Sequence, residues 1–124
     1  MHINFEMTDE ILIVSLEGEL DHHTSTAVRE EIDKTIEVFR SQHLVLDFSK
    51  ISFMDSSGIG VIMGRYNKIF KSGGTLMITG CDDYIHRILD MAGIFTIAKE
   101  TANVAEAINW IKTELAEEVS GSDG

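Results

Sequence analysis

The chain has 124 residues, 21 acidic against 10 basic side chains, a net charge of −11, 44% hydrophobic residues and no proline. A chain of this length makes one domain that buries about two-thirds of the surface its unfolded form exposes. The charge argues against a nucleic-acid backbone or an anionic membrane as partner and suits a basic protein surface. No apolar run is long enough to span a membrane. The start, MHINFEMTDE, carries no basic segment or apolar core of a secretory signal. The single cysteine, Cys81, has no internal disulfide partner, so a cytoplasmic location is expected.

Ile3, Phe5 and Met7 alternate with polar residues, the period of a half-buried strand. Thr8-Asp9-Glu10 reads as a turn and Ile11 to Leu16 as a second, more buried strand, together an antiparallel hairpin. Gly18 to His23 leads into a helix whose apolar stripe is Val28, Ile32, Ile36 and Phe39, ending near Arg40-Ser41-Gln42. Leu44 to Phe48 is a strand covered on both faces. Asp55-Ser56-Ser57-Gly58 then opens a second helix, with Ile59, Ile62, Met63, Tyr66, Ile69 and Phe70 on one side. Its other side carries Ser57, Gly60, Val61, Gly64 and Lys68, with Arg65 at the edge.

Ser72-Gly73-Gly74 is a turn, and Thr75 to Thr79 a fourth strand. Asp82 and Asp83 cap a third helix that buries Ile85, Ile88, Leu89 and Ala92, and Gly93 stands where a left-handed cap is wanted. Ile94 to Ala98 reads as the last short strand. Asn103 with Glu106 resembles a capping box for a fourth helix presenting Val104, Ile108, Ile111 and Leu115. Residues 117–124 lack an apolar period and are expected to form a disordered acidic tail. The order ββαβαβαβα predicts a single α/β domain, a mixed, mostly parallel sheet of about five strands packed with four helices. Function in such sheets collects at the carboxyl ends of the strands, so the Gly18–His23 and Asp55 loops are expected to be neighbours.

The second helix holds the informative residues. Each helical glycine costs about 1 kcal/mol relative to alanine, so Gly60 and Gly64 on one face require a reason. Two remain open: close internal packing, or a smooth face kept clear for a partner. Asp55, Ser56 and Ser57 are N-cap residue types, and capping alone accounts for one serine. A serine hydroxyl at a helix N-terminus is also a good place for a phosphoryl group, whose charge the dipole and free N–H groups stabilise.

Other chemistries fit less well. A dinucleotide fingerprint starting at Gly58 needs its third glycine at position 63, which is Met63, and there is no P-loop pattern. A serine hydrolase needs a strained G-x-S-x-G turn, which is absent, although His22 or His23 would lie near enough to serve as base. His22 and His23 are adjacent rather than four apart, so no metal site is expected, and no cofactor. Cys81 reads as a small buried residue. Asp21 is either a cap or a carboxylate beside the Asp55 turn.

Gly18-Glu-Leu-Asp21-His-His23 with Phe53-Met-Asp55-Ser56-Ser57-Gly58-Ile-Gly60, continued by Met63-Gly64-Arg65-Tyr66, Gly73-Gly74 and Asp90-Met-Ala-Gly93, resembles the STAS domain of bacterial anti-sigma-factor antagonists, of the kind used in sporulation. The resemblance implies one STAS domain over residues 1–116 and a protein-binding switch rather than an enzyme. It implies that the unmodified protein binds an anti-sigma factor that is also an ATP-dependent serine kinase, freeing the sigma factor for transcription. That kinase then phosphorylates the antagonist, and a serine phosphatase resets it. The acceptor falls on Ser56, and partner binding on Asp21, Asp55, Ser57, Gly58, Gly60, Val61, Gly64 and Arg65. Ile59 stands where Leu or Val is expected, a conservative change. The competing expectations are a STAS module of another signalling assembly and a small serine hydrolase on the same loops.

Overall fold

The alternation of side chains along β2 and β3 organises the domain, because both strands are apolar on both faces. In the computed structural model, which describes residues 1–123 and side chains as far as residue 115, the elements run β1 (His2–Thr8), β2 (Ile11–Leu20), α1 (Ser25–Phe39), β3 (His43–Met54), α2 (Ser56–Lys71), β4 (Leu76–Thr79), α3 (Asp83–Met91), a 3-10 turn (Ile94–Thr96), β5 (Lys99–Thr101) and α4 (Val104–Asp123). The five strands lie in sequence order, β1 antiparallel to β2 and the rest parallel. The expected α/β fold with a mostly parallel sheet is therefore the observed one. Residues 117–123, expected to belong to a disordered tail, continue the backbone of α4, and Gly124 lies outside the described residues.

Leu12, Val14, Leu16, Leu44, Leu46, Leu76 and Ile78 point to one face and meet Val28, Ile32 and Ile36 of α1, Val61, Ile62 and Ile69 of α2, and Ile85 and Leu89 of α3. Ile11, Ile13, Val45 and Met77 point to the other face and meet Ala107 and Ile111 of α4. Period-two alternation thus places three helices on one side and one on the other.

Several elements differ from their sequence reading. β2 and β3 run on to Leu20 and Met54, well past Leu16 and Phe48, because their parallel ladder continues through two register shifts, Ser15/Glu17 and Gly18/Glu19. Polar residues in these extensions hid them, since a strand end needs only backbone pairing. Ile94 to Ala98 is not a strand. Gly93, at φ 79°, turns the chain into the 3-10 segment, Ile94 is fully buried, and the last strand is Lys99–Thr101 beside β4. Phe39 is 58% exposed and Ala92 is exposed, so the α1 and α3 stripes stop one turn earlier than read. The Asn103–Glu106 box is formed: Glu106 N–H donates to Asn103 Oδ1 at 2.9 Å, and Ala102 N–H donates to Glu106 Oε2 at 3.1 Å.

Gly74 carries the chain from α2 into β4 so close to the neighbouring backbone that a Cβ would lie 1.7 Å from the Gln42 carbonyl oxygen. Gly60 and Gly64, by contrast, have open space where a Cβ would stand. Gly74→Ala is expected to lower stability by at least about 2 kcal/mol, and Gly60→Ala to raise it by roughly 0.5–1 kcal/mol. Urea unfolding of the two variants checks both signs.

His86 of α3 reaches β5 through Glu100, with Nδ1 2.8 Å from Oε1, and its ring stacks on Phe95 at 4.9 Å. The Glu100 hydrogen bond raises the His86 pKa above its ordinary value, against an opposing contribution from desolvation. A raised folded-state pKa means that the contact stabilises fully below about pH 6.5 and is lost as pH rises through the folded midpoint. An NMR titration is expected to place the His86 midpoint above the ordinary histidine value, and Glu100→Gln to bring it back down.

Candidate functional site

The carboxyl ends of β2 and β3 bring the two predicted loops together, and Asp55 joins them. Its backbone is extended, φ −115° and ψ −170°, so the residue caps α2 rather than continuing it. Oδ1 accepts from Ser57 N–H at 2.8 Å. Oδ2 accepts from His22 N–H at 3.3 Å and lies 3.7 Å from His22 Nδ1. Asp55 N–H donates to the Leu20 carbonyl at 3.3 Å. Desolvation pushes the Asp55 carboxyl up. Hydrogen bonds from Ser57, His22 and Gly58 outweigh it and hold the group below the usual carboxylate range. The site therefore carries a fixed negative charge at neutral pH.

Asp21 works inside its own loop. Its Oδ1 accepts from His23 N–H at 2.9 Å and Thr24 N–H at 3.2 Å, closing the turn that leads into α1. It closes this turn without capping α1, whose N-cap is Thr24. Its neighbour His22 supplies the link to Asp55. The GELDHH run pointed to this loop but not to a backbone donor, because a main-chain N–H has no side-chain signature.

The two serines differ. Ser57 is half-buried, and its backbone N–H donates to Asp55 Oδ1. Ser56, the first residue of α2, is exposed, and its hydroxyl makes no hydrogen bond among the described residues. Neither His22 nor His23 hydrogen-bonds to either serine there, so no nucleophile–base pair of the hydrolase kind is assembled.

α2 is rotated relative to its sequence reading. Met63 and Phe70, taken for core, are 40% and 64% exposed. Val61 and Arg65, placed on or at the edge of the outward face, and Gly58, expected at the partner surface, are buried. A Cβ on Gly58 would stand 2.5 Å from Met54 Cγ and 3.2 Å from Leu20 Cδ2, so the first turn of α2 is pressed onto the ends of β3 and β2. Arg65 Nε lies 2.8 Å from Asp33 Oδ1 of α1, off the line of a hydrogen bond, so charge rather than directed bonding holds the pair. Lys68 Nζ meets Glu37 Oε1 at 2.7 Å. These residues support the outer face from beneath, while Ser56, Gly60 and Gly64 lie on it. The wheel misplaced them because an arginine neutralised by a neighbouring helix packs like an apolar residue, which one helix's sequence does not disclose.

Cys81 is half-buried, and burial first, then the Glu100 charge, push its thiol up to about 12, so it stays protonated and unreactive. Among the described residues, no group of three or more metal-ligating side chains comes together, and no helix is long and apolar enough to cross a membrane.

Residues 2–107 match the STAS domain. An anti-sigma F factor antagonist of Paenibacillus polymyxa is 43% identical over 110 residues, covering 87% of this chain and 94% of that protein. Among solved structures, the anti-sigma factor antagonist SpoIIAA in its unphosphorylated form has a TM-score of 0.72 at 27% identity, over 90% of this chain and 98% of its own. The Bacillus cell fate determinant SpoIIAA in its phosphorylated form has a TM-score of 0.71 at 28% identity, over 89% and 99%. With a match across most of its length and relatives this similar, the chain belongs to the STAS domain family.

Proposed function

We propose that this protein is an anti-anti-sigma factor whose unphosphorylated form binds an anti-sigma factor and releases the sigma factor. The partner is also the serine kinase that phosphorylates Ser56, and a serine phosphatase restores the binding form. The observation that carries this reading is the asymmetry of the two serines: Ser57 is half-buried and tied to Asp55 through its backbone N–H, while Ser56 exposes its hydroxyl on the first turn of α2. Similarity to antagonists of anti-sigma factors supports the partner class.

The docking face is the outer side of α2. Gly60 and Gly64 keep it shallow, so a partner backbone can approach closely, and Ser56 lies at its N-terminal end. A phosphoryl group adds about −1.5 to −2 charge. The helix N-terminus stabilises it, and it lies next to the ionised Asp55. The fold tolerates the modification, while the face meeting the partner becomes both bulkier and more negative. SpoIIAA fits this chain equally well in its two states, TM-scores 0.72 and 0.71, in keeping with a switch that acts through the surface.

Incubation with the host's anti-sigma kinase and ATP is expected to add one phosphate to the wild type and none to Ser56→Ala by intact mass, with an unchanged far-UV circular dichroism spectrum. A phosphate that persists on Ser56→Ala moves the acceptor elsewhere. Gly60→Arg and Gly64→Arg are expected to keep the thermal midpoint within a few degrees and to weaken binding to the anti-sigma factor by about a hundredfold or more. Unfolding of these variants would instead assign the glycines to internal packing.

A further inference from the structure

Two ion pairs bridge α1 and α2, Asp33 with Arg65 and, one turn on, Glu37 with Lys68. Position 29 lies one turn before Asp33 on the same side of α1, and there the series breaks. It holds Arg29, and the α2 residues beside it, Ser57, Gly60 and Val61, include no acid. No acidic residue occurs anywhere in Ser56–Lys71. Arg29 is exposed and makes no ion pair among the described residues.

Ser25, Thr26, Arg29, Ser57, Gly60 and Val61 line a groove of about 290 Å³ between the two helices. The N-terminus of α1 opens onto it as well. Thr24 makes no side-chain capping hydrogen bond and the first turn contains no acid, while the Asp21 carboxylate just before the helix accepts from Thr24 N–H. Burial pulls the Arg65 guanidinium down, Asp33 pushes it back up, and the like charge of Arg29 adds to the downward pull. The charge of Arg29 is thus within electrostatic reach of the neighbouring pair. In a chain of net charge −11, this groove is a cationic place with no anion of its own.

We propose that the α1–α2 groove receives a carboxylate side chain, Asp or Glu, of the protein that docks on α2, with Arg29 as its anchor. The inference rests on the anti-sigma-factor reading above and extends its interface from α2 onto α1. The groove shares Ser57 and Gly60 with the proposed docking face, so one partner segment covers both. The incoming carboxylate completes the interrupted series of charge pairs. Specificity follows, since a partner with a basic or apolar residue at this point leaves Arg29 desolvated and unpaired.

The test is the affinity of wild type, Arg29→Lys, Arg29→Ala and Arg29→Glu for the unmodified anti-sigma factor, measured from low to high salt. Arg29→Ala is expected to bind about tenfold more weakly at low salt, Arg29→Glu more weakly still, and Arg29→Lys close to wild type. The gap between wild type and Arg29→Ala is expected to narrow as salt rises, and all variants to unfold at the wild-type temperature. Affinities within twofold of wild type for both Arg29→Ala and Arg29→Glu overturn the anchor and leave the anti-sigma reading intact. A loss in Arg29→Ala that is the same at every salt concentration assigns Arg29 to packing and also overturns the proposal. Absence of binding by the wild type overturns the functional reading itself.

Discussion

The carboxylate of Asp55 is the point on which the site depends. One oxygen caps α2 through Ser57, and the other holds the backbone of His22, 33 residues earlier in the chain. The same residue donates its N–H to Leu20 at the end of β2. Three bonds therefore fix the start of α2 relative to the neighbouring strand end. Because the bonds favour the ionised form, the anchor is present wherever the carboxylate is charged, which covers all physiological conditions. A serine one residue further on inherits a fixed position without being bonded itself, a suitable arrangement for a group that must be reached by another protein.

Below that anchor, the first turn of α2 admits no side chain at position 58, since Met54 and Leu20 occupy the space. Gly58 therefore serves packing, while Gly60 and Gly64 do not, and the three glycines of one helix divide between two purposes. The outward pair costs helix stability without any compensating contact inside the domain. Such a cost is understandable where a smooth surface is worth more than the last kilocalories of helix propensity, as at a docking face. The helix is held instead by Ile62 and Ile69 beneath it and by the Asp33–Arg65 and Glu37–Lys68 pairs beside it.

Charge is distributed unevenly across this frame. α2 holds Arg65, Lys68 and Lys71 and no acid, within a chain whose acids outnumber its bases two to one. Arg65 and Lys68 are neutralised by α1. Arg29, on the partner helix, is not. Its side of the groove is locally cationic, and a phosphoryl group on Ser56, next to the groove residue Ser57, would act against that charge.

The sequence by itself determined the element order, the hairpin, the two-sided burial of the central strands, the caps at Asp55, Asp82 and Asn103, and the meeting of the two loops at one sheet edge. Each rests on a local rule: alternation of apolar residues, cap chemistry, or the topology of parallel crossovers. Only the tertiary structure decided which face of α2 is outside, how far β2 and β3 run past their apolar cores, and that Ile94–Thr96 turns instead of extending. It also decided which serine is exposed. These properties depend on what lies opposite: Asp33 makes Arg65 an inward residue, Leu20 and Met54 make Gly58 one, and β3 pairing extends β2 through residues that are polar. A helical wheel contains no neighbours, and the orientation of a helix is settled by its neighbours.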